Sequence, residues 1–438
     1  MSLNQVPSAR SRLNIGPFAS LLGFLVLFTS ISRAQSFTVV YQFSGAPDGA
    51  NPNGSLIVDA TGNLYGTTTS GGNYSCDSTN ASGGCGTVFK VDKSGTETVL
   101  HAFHDNPDGK EPYSGLLPTR SGTAYGTTYF GGSAFDGMVF EVDKTGKVTV
   151  VHNFLSAPDG QNPYLSALVQ DSLGNLYGTT TNGGTIPFFC GCGMVFKIDP
   201  SGKETVLHRF LGGPGDGSFP QADLVLDPRG NVYGTTFFGG SACPNEGSSG
   251  GCGTIFKISP AGQMTILYNF TGGTDGANPA GKLLLDSAGN LYGTTAYGAA
   301  LCDPLKFGCG TIFKFDTSGK LTVLHRFRGA PDGANPFAGL IADPAGNAYG
   351  VTSFGGIRAC GNNDLDTPGC GTVYKLAHTG KFTILHSFVQ TDGANPDASL
   401  VRDSAGSLYG TTPNGGNPTC NYGAPPIVGC GTVFKIAR

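Results

Sequence analysis

One tetrapeptide, Tyr-Gly-Thr-Thr, recurs down the whole chain and restricts its fold more than any other feature. The copies begin at Tyr65, Tyr125, Tyr177, Tyr233, Tyr292, Tyr349 and Tyr409. In the sixth copy Val351 replaces the first Thr, and the intervals between copies are 60, 52, 56, 59, 57 and 60 residues. A period of this size is typical of a solenoid, a propeller or an array of repeats.

Each period holds four short apolar runs separated by turn residues. In the first unit these runs cover residues 55–59, 63–68, 86–92 and 96–103. They are rich in Val, Ile, Thr, Tyr and Phe, which suit a pleated, half-buried surface. The links between runs are short and contain Gly, which favours antiparallel hairpins. Each unit is therefore predicted to be a four-stranded antiparallel propeller blade.

The two ends of the chain predict that the propeller is closed. Residues 38–43 resemble a fourth strand, whereas residues 431–437 resemble a third strand. The last blade would thus be completed by the N-terminal strand, which covers edges that an open array would expose. We predict an all-β fold in which residues 35–438 form one closed seven-bladed β-propeller. An open β-array is the alternative.

Residues 1–34 are predicted to be a secretory signal peptide. Arg10 and Arg12 form its basic region, residues 18–31 its apolar core, and a small-x-small cleavage site ends at Ala34. The core of 14 residues is short for a membrane span. We expect a secreted protein, extracellular or periplasmic, with no membrane anchor.

The charge of the chain argues against a nucleic-acid partner. The formal net charge is −4, and it becomes −7 when the signal peptide takes its three arginines with it. A mildly acidic surface without a basic stripe does not suit nucleic acid. We expect a monomer whose partner is an extracellular glycan or a protein.

The twelve cysteines predict disulfides. Six of the seven units carry two, always between the second and third strands, and the second Cys directly precedes the Gly that opens the third strand. The pairs within each loop are Cys76/Cys85, Cys190/Cys192, Cys243/Cys252, Cys302/Cys309, Cys360/Cys370 and Cys420/Cys430. Their variable spacing, without a nearby His, makes zinc binding the poorer alternative.

A second signature marks the link from each fourth strand to the next first strand. The link holds Asp-Gly with a Pro three residues after the Gly, and its acidic residues are Asp48, Asp108, Asp159, Asp216, Asp275, Asp332 and Asp392. These carboxylates would ring one mouth of the channel, where they could bind calcium or a polar ligand. The alternative is turn chemistry, with an extended Asn before Pro. Because the Asp recurs in every unit, we favour the turn and predict no cofactor or metal.

One position of the fourth strand alternates between two residue types. It holds His101, His152, His208, His325 and His386, with Tyr41 and Tyr268 in the other two copies. Interchange of His and Tyr indicates an amphipathic ring with a polar tip. One His per blade would not converge on a single metal ion.

Departures from the repeat are the better candidates for ligand binding. Asp223 and Lys282 precede the first-strand Leu on adjacent blades, where they could form an ion pair or a catalytic acid with its partner. His104 and Glu111 belong, with Asp108, to a dense titratable cluster in one link.

Aromatic residues follow the motif in some units only. Tyr129 and Phe130 do so in the second unit, and Phe237 and Phe238 in the fourth. They could stack on sugar rings, although loop-anchoring contacts are the alternative and the chain has no Trp. A zinc-protease motif, a phosphate loop and a dinucleotide fingerprint are all absent from the sequence, so no catalytic residue is predicted.

The unit D-x-x-G-N-L-Y-G-T-T-x-x-G-G, followed by G-C-G-T-V-F-K, T-V-L-H-x-F and D-G-A-N-P, resembles the GloVer tandem-repeat family. This is a group of exported bacterial proteins named for Gloeobacter and Verrucomicrobia. Residues 286–298 and 310–327 carry the pattern, and the likeness covers residues 36–438. It implies export and often attachment to the cell surface through a C-terminal anchor, but we expect no such anchor here, because the sequence stops at Arg438 directly after the last strand. D-x-x-G-N-L-Y also resembles NHL-type propeller repeats more loosely.

We therefore expect a secreted, non-catalytic binding or scaffolding propeller. The fold alone does not establish this, because propellers host many functions. One alternative is a polysaccharide-acting hydrolase or lyase with its site at the channel mouth. Another is a structural envelope protein without a small ligand.

Overall fold

The computed structural model describes residues 35–73, 76, 83–104, 106–155, 158–184, 191–241, 243, 250–299, 308–357, 360, 369–420 and 428–437. The predicted signal peptide lies outside these residues. Their regular structure is all β, with seven four-stranded antiparallel sheets. Within the same residues, no helix is long and apolar enough to span a membrane.

Each sheet is one blade, numbered 1 to 7 in the order of the Tyr-Gly-Thr-Thr copies. The first strands are Ile57–Val58, Leu117–Pro118, Val169–Gln170, Val225–Leu226, Leu284–Leu285, Ile341–Ala342 and Val401–Arg402. The second strands are Leu64–Thr68, Ala124–Thr128, Leu176–Thr180, Val232–Thr236, Leu291–Thr295, Ala348–Thr352 and Leu408–Thr412. The third strands are Thr87–Val91, Met138–Val142, Met194–Ile198, Thr254–Ile258, Thr311–Phe315, Thr372–Leu376 and Thr432–Ala437.

The fourth strands complete the blades. They are Glu97–Ala102, Val148–Asn153, Glu204–Arg209, Met264–Asn269, Leu321–Arg326, Phe382–Ser387 and, for blade 7, Ser36–Gln42. Three blades add a short ladder between the preceding link and the segment after the motif. These ladders pair Gly49–Ala50 with Ser70–Gly71, Gly160–Gln161 with Asn182–Gly183, and Gly217–Ser218 with Phe238–Gly239.

The N-terminal strand closes the ring, as the sequence predicts. Ser36–Gln42 pairs antiparallel with Thr432–Ala437 and so completes blade 7. A buried apolar cluster that includes Phe43, Phe89 and Val433 then joins blade 7 to blade 1. The other six neighbouring pairs of blades share comparable clusters. The prediction of a closed seven-bladed propeller is confirmed.

The first strands are shorter than predicted. The sequence predicts a strand over residues 55–59, but ladder pairing covers only Ile57–Val58. The residues just before it approach the neighbouring blade, since a Cβ on Gly54 would lie 2.6 Å from the carbonyl oxygen of Ser114. Convergence of the blades at the axis therefore directs this segment against the next blade instead of its own second strand.

An aromatic pair packs across every blade interface. The ring centroids are 5.1 to 5.4 Å apart in the pairs Phe43–Phe89, Phe103–Phe140, Phe154–Phe196, Phe210–Phe256, Phe270–Phe313, Phe327–Tyr374 and Phe388–Phe434. The second member lies on the third strand directly opposite the motif Gly, as Phe89 lies opposite Gly66. The Gly is required there because a Cβ on Gly66 would lie 2.7 Å from the Phe89 ring.

The other motif residues have structural partners too. Tyr65 donates its hydroxyl proton to Asp59 (3.2 Å), in the turn between the first and second strands. Thr67 Oγ1 donates to the carbonyl of Ser114 in the next blade (2.8 Å). Thr68 Oγ1 lies 2.8 Å from the hydroxyl of Thr87 on the third strand. The motif therefore recurs because it holds each blade together and joins it to the next.

The Asn before the link Pro is left-handed, so the prediction of an extended Asn is wrong. Asn51 has φ 56° and Asn278 has φ 57°. Asn tolerates this left-handed backbone conformation. Its backbone N–H and its side-chain amide then both contact the preceding blade. The backbone N–H of Asn278 donates to the Cys252 carbonyl, and its side-chain amide donates to the Phe237 carbonyl (both 2.8 Å).

Four of the six predicted disulfides are confirmed. They are Cys76–Cys85, Cys243–Cys252, Cys360–Cys370 and Cys420–Cys430, with Cα separations of 5.2, 5.1, 5.2 and 5.6 Å. The pairings predicted for Cys192 and Cys309 are not confirmed, because their predicted partners, Cys190 and Cys302, lie outside the described residues. Those two pairings therefore stay predictions.

Cys192 and Cys309 hold the same place in their loops as the second Cys of each confirmed disulfide. Both residues are fully buried and disulfide-bonded. The Cys192 carbonyl accepts a hydrogen bond from the backbone N–H of Phe219, and the Cys309 carbonyl accepts one from Asn335 (both 2.9 Å). Cys252 makes the same contact with the next link, so the second Cys of each loop has a backbone role that does not depend on its disulfide.

Substitution of a motif Gly should destabilise the propeller. We expect Gly66→Ala to lower the free energy of unfolding by about 1–3 kcal/mol, because the new methyl overpacks the Phe89 ring and Leu56. Gly273→Ala is the matched control, since its nearest neighbour would be 3.4 Å away, and it should stay within about 0.5 kcal/mol. Denaturant unfolding measures both, and equal effects would contradict this role of the motif.

Candidate functional site

The links and the loops between second and third strands lie on one face of the propeller. This follows from the meander, because hairpin turns alternate between the two ends of a blade. On this face, the residue after each link Pro differs from blade to blade, and we call this set the mouth ring. It consists of Asn53, Tyr113, Tyr164, Gln221, Ala280, Phe337 and Asp397.

A narrow cavity lies on the axis below the mouth ring. Residues from all seven blades line it, and its volume is about 30 Å³, which is room for only a few water molecules. Small residues keep the blades close together here: a Cβ on Gly339 would lie 2.6 Å from the carbonyl oxygen of Lys282. A sugar-sized ligand would therefore contact the mouth of the channel and not its interior.

The third unit carries an extra residue at the mouth. Its first-strand Leu follows the link Pro by five residues, from Pro163 to Leu168, whereas the other units use four. Leu165, within this segment, lines the cavity with φ 53°. A left-handed residue other than Gly is strained, and such strain often accompanies function. The insertion is visible in the sequence as the longer spacing between Pro163 and Leu168.

Three tyrosines form a half-buried cluster beside the cavity. Their ring centroids are 4.8 Å apart for Tyr113–Tyr164, 5.3 Å for Tyr129–Tyr164 and 5.6 Å for Tyr113–Tyr129. Burial, followed by the charge of Glu111, raises the pKa of Tyr113. The hydroxyl therefore stays neutral and can donate hydrogen bonds. Phe130 packs against Tyr129 at 4.4 Å, so two predicted aromatics and Glu111 meet here.

Asp397 places a carboxyl group in the mouth ring. Ser353, which follows the motif of blade 6, donates a hydrogen bond to it. Burial raises the pKa of Asp397 from 3.8 to about 6. The Asp397 charge also acts on Tyr164, whose pKa is raised first by burial. An acid and a tyrosine from two non-adjacent blades thus face the same mouth.

A second group of aromatics continues around the mouth. Phe237 packs against Phe238 at 4.8 Å and lies 6.3 Å from Tyr297. Tyr297 in turn lies 5.9 Å from Phe337 of the mouth ring. The predicted pair Phe237 and Phe238 therefore connects to the mouth through Tyr297.

Asp223 and Lys282 lie together, as the sequence suggests. The Lys282 Nζ is 3.9 Å from Asp223 Oδ2, and the backbone N–H of Ala167 donates to Asp223 Oδ1 (2.6 Å). Burial raises the pKa of Asp223, while the Lys282 charge opposes that rise. The group connects blades 3, 4 and 5 inside the channel.

The seven link aspartates each face the His or Tyr of the preceding fourth strand. Hydrogen-bond distances are 2.9 to 3.2 Å in Tyr41–Asp48, His101–Asp108, His208–Asp216, Tyr268–Asp275, His325–Asp332 and His386–Asp392. His152 and Asp159 are 3.7 Å apart. The repeat pattern does not predict this pairing, because the two positions lie in different segments of each unit.

The aspartates are also engaged with their own links. Asp216 accepts hydrogen bonds from the backbone N–H groups of Leu211 (2.9 Å) and Gly217 (2.8 Å). His104, about half exposed, lies 3.7 Å from Asp108. The contacts are those of turns, the interpretation that the sequence favours, and they leave the variable mouth ring as the candidate site.

A larger cavity, of about 140 Å³, lies between blades 6 and 7 and is lined in part by Asp343, Asn347, Tyr349 and Lys375. The first three belong to the strand turn that recurs around the propeller. The residues that line this cavity therefore belong mostly to the repeat, whereas the mouth-ring residues differ from blade to blade.

These features define a closed seven-bladed β-propeller whose non-repeated polar and aromatic side chains gather at one channel mouth. The chain belongs to the Gloeobacter/Verrucomicrobia repeat family, whose model matches residues 23–185, 74–247 and 242–438. No curated protein matches the sequence.

Solved structures with the same fold differ in function. Virginiamycin B lyase from Staphylococcus aureus is 13% identical with a TM-score of 0.55, and the match covers 92% of this chain and 99% of that chain. A fungal alcohol oxidase of the AA5 family, in complex with copper, is 15% identical with a TM-score of 0.55. That match covers 92% of this chain and 76% of the oxidase. At these identities the likeness concerns the fold alone.

Protonation of Asp397 should make stability depend on pH. Its folded pKa of about 6 exceeds its ordinary value of 3.8, so the folded state binds this proton more tightly. The resulting stability is complete below pH ~4 and is lost as the pH rises through about 6, by on the order of 2–3 kcal/mol. Asp397→Asn should lack this component. Unfolding free energies of both proteins from pH 4 to 8 measure it, and parallel curves would refute it.

Proposed function

We propose that this protein is a secreted, non-catalytic binding propeller that recognises the end of a glycan chain at the mouth ring. The cluster of Tyr113, Tyr129 and Tyr164 beside the Asp397 carboxyl is the observation that carries the proposal. Aromatic faces cover the apolar C–H faces of sugars, while a few polar groups fix orientation.

The chemistry of the mouth narrows the class of glycan. Gln221 supplies an amide and Asp397 a carboxyl group for sugar hydroxyls, and the tyrosine hydroxyls add donors. Asn53 offers its amide oxygen, because its nitrogen donates to Asn51 and Thr69. The acidic Glu111 and Asp397, on a chain that is acidic overall, would repel a polyanion. We therefore infer a neutral oligosaccharide. The narrow axial cavity favours contact with a chain end over threading of a strand through the channel.

Two observations support export. The four described disulfides are of a kind that persists in oxidising compartments outside the cytosol. The predicted signal peptide supplies the route. An extracellular location would expose the protein to glycans of cell walls and of other organisms.

A glycan array followed by calorimetry tests the proposal. We expect a neutral oligosaccharide to bind, and Tyr113→Ala and Tyr164→Ala each to weaken its affinity about tenfold, the effect of truncating an aromatic anchor. Leu173→Ala is the control, because Leu173 is 78% exposed on a turn at the opposite face. Equal weakening by all three variants would contradict the mouth site. An array without hits would favour a protein partner or a structural envelope role.

A second candidate function is hydrolysis or elimination on a polysaccharide at the same mouth. Asp397 favours it, because a carboxyl group with a pKa of about 6 can act as a general acid near neutral pH. Glu111 and Asp223 are further carboxyl groups near the mouth. Each already has a neighbour in the fold: the tyrosine cluster for Glu111, and Lys282 for Asp223.

Incubation of the wild-type protein with the bound oligosaccharide separates the two functions. We expect neither new reducing ends nor unsaturated sugars, because the nearby carboxyl groups of Glu111 and Asp223 are engaged by the tyrosine cluster and by Lys282. Turnover that disappears in Asp397→Asn, while binding persists, would replace the binding function with catalysis. Turnover unchanged in that variant would indicate a contaminating enzyme.

A further inference from the structure

One fourth-strand position, which pairs with Val91 in blade 1 and with Ile436 in blade 7, varies in residue type and in blades 3, 6 and 7 contacts the His of the preceding blade. In blade order from 1 to 7 the position holds Glu97, Val148, Glu204, Met264, Leu321, Phe382 and Phe37. Where it is aromatic it stacks on the His ring, as Phe382 does on His325 at 3.8 Å. Blades 1 and 3 have a carboxylate instead.

In blade 3 this carboxylate creates a group of three ligand atoms. Glu204 Oε2 lies 3.9 Å from His152 Nε2, which lies 3.7 Å from Asp159 Oδ2. Within the described residues, these three form the one His/Cys/Asp/Glu group with ligand atoms that all lie within 4.8 Å of one another. The group joins the link and fourth strand of blade 2 to the fourth strand of blade 3.

Among the described residues, the repeated His–Asp hydrogen bond is lacking only between His152 and Asp159, at the interface of blades 2 and 3. In the four other His-containing blades the ring nitrogen lies 2.9 to 3.2 Å from the Asp, whereas His152 and Asp159 are too far apart for a hydrogen bond. His152 Nε2 and Glu204 Oε1 are also buried without a hydrogen-bond partner. Leaving such atoms unsatisfied is costly, and a shared ligand would satisfy both.

Charge also favours a cation at this place. Burial, followed by the charge of Asp159, raises the pKa of Glu204 to about 7. The charges of His152 and Arg209 oppose that rise, and the Nε of Arg209 donates to the Pro158 carbonyl (3.1 Å). The carboxylates of Asp159 and Glu204 lie close together, and a divalent cation between them would offset their mutual repulsion.

We propose that His152, Asp159 and Glu204 bind a divalent transition-metal cation, zinc in the first instance. This ion would link blade 2 to blade 3. Imidazole nitrogen and carboxylate oxygen together suit zinc, whereas calcium prefers oxygen ligands alone. Two ligand atoms of a tetrahedral zinc lie about 3.4 Å apart, because each bond is about 2.1 Å long. The separations of 3.7 and 3.9 Å to His152 are slightly longer, so the side chains need only a small inward movement to bind one ion, with water completing the tetrahedron.

The interface between blades 7 and 1 provides an internal control. There Glu97 takes the place of Glu204, but Tyr41 replaces the His and donates its hydroxyl proton to Asp48 (2.9 Å). Burial, followed by the charge of Asp48, likewise raises the pKa of Glu97 to about 7. The acidic environment is thus reproduced without the nitrogen ligand.

Thermal unfolding of the oxidised, untagged mature protein tests the site. After treatment with EDTA and dialysis, zinc should raise the melting temperature with a stoichiometry of one ion per chain by elemental analysis, because a ligand of the native state stabilises it. Calcium should have no effect. Glu204→Leu and His152→Tyr should abolish the zinc-dependent shift, and both residues already occupy the same positions in other blades, as Leu321 and Tyr268.

Two control variants make the test decisive. Glu97→Leu and His104→Ala should keep the full zinc-dependent shift, since they alter the other buried Glu and a half-exposed His. The proposal fails if the wild-type protein shows no shift, if the shift survives in Glu204→Leu, or if either control variant abolishes it. A Glu204→Leu protein that folds with a wild-type melting temperature in EDTA would confirm that the lost shift reflects lost binding.

Discussion

Packing of a third-strand aromatic ring into the space left by the motif Gly is the interaction on which the structure depends. The ring of Phe89 lies over Gly66 in its own blade and meets Phe43 from the preceding blade edge to face. Each such pair contributes about 0.5–1.5 kcal/mol beyond the area it buries. One pair occupies every interface, so closure of the ring repeats one contact seven times.

Because the repeated residues hold the blades together, the residues at the mouth can differ from blade to blade. The motif, the link Asp and the Asn before Pro are engaged in hydrogen bonds that hold the blades together. The residue after the link Pro differs from blade to blade, from Ala280 to Tyr164 and Asp397. It differs even where it contacts the residue after the motif, as Asn53 contacts Thr69 and Asp397 contacts Ser353. A scaffold of identical contacts can therefore present a non-repeated surface, which is the arrangement that recognition of an asymmetric ligand requires.

Much of the fold could be predicted from the sequence because it is encoded locally and seven times over. Blade number, the split last blade and four disulfides all follow from the repeat. The first strand was overestimated, because contacts at the axis compete with the ladder at Gly54. Tyr113 and Asp397 were missed because each is unremarkable in its own unit. The sequence does not predict the pairing of Tyr41 with Asp48, because the two residues belong to different repeated segments.

The sequence by itself determined the period, the strand pattern and the closure, since these depend on side chains that act within one blade or between identical neighbours. Only the tertiary structure decided which side chains meet from different blades. The tyrosine cluster combines blades 2 and 3, Asp397 faces Tyr164 from blade 7, and Glu204 reaches His152 across an interface. Such meetings depend on how blade twist and ring closure orient each strand, and spacing along the chain does not encode that geometry.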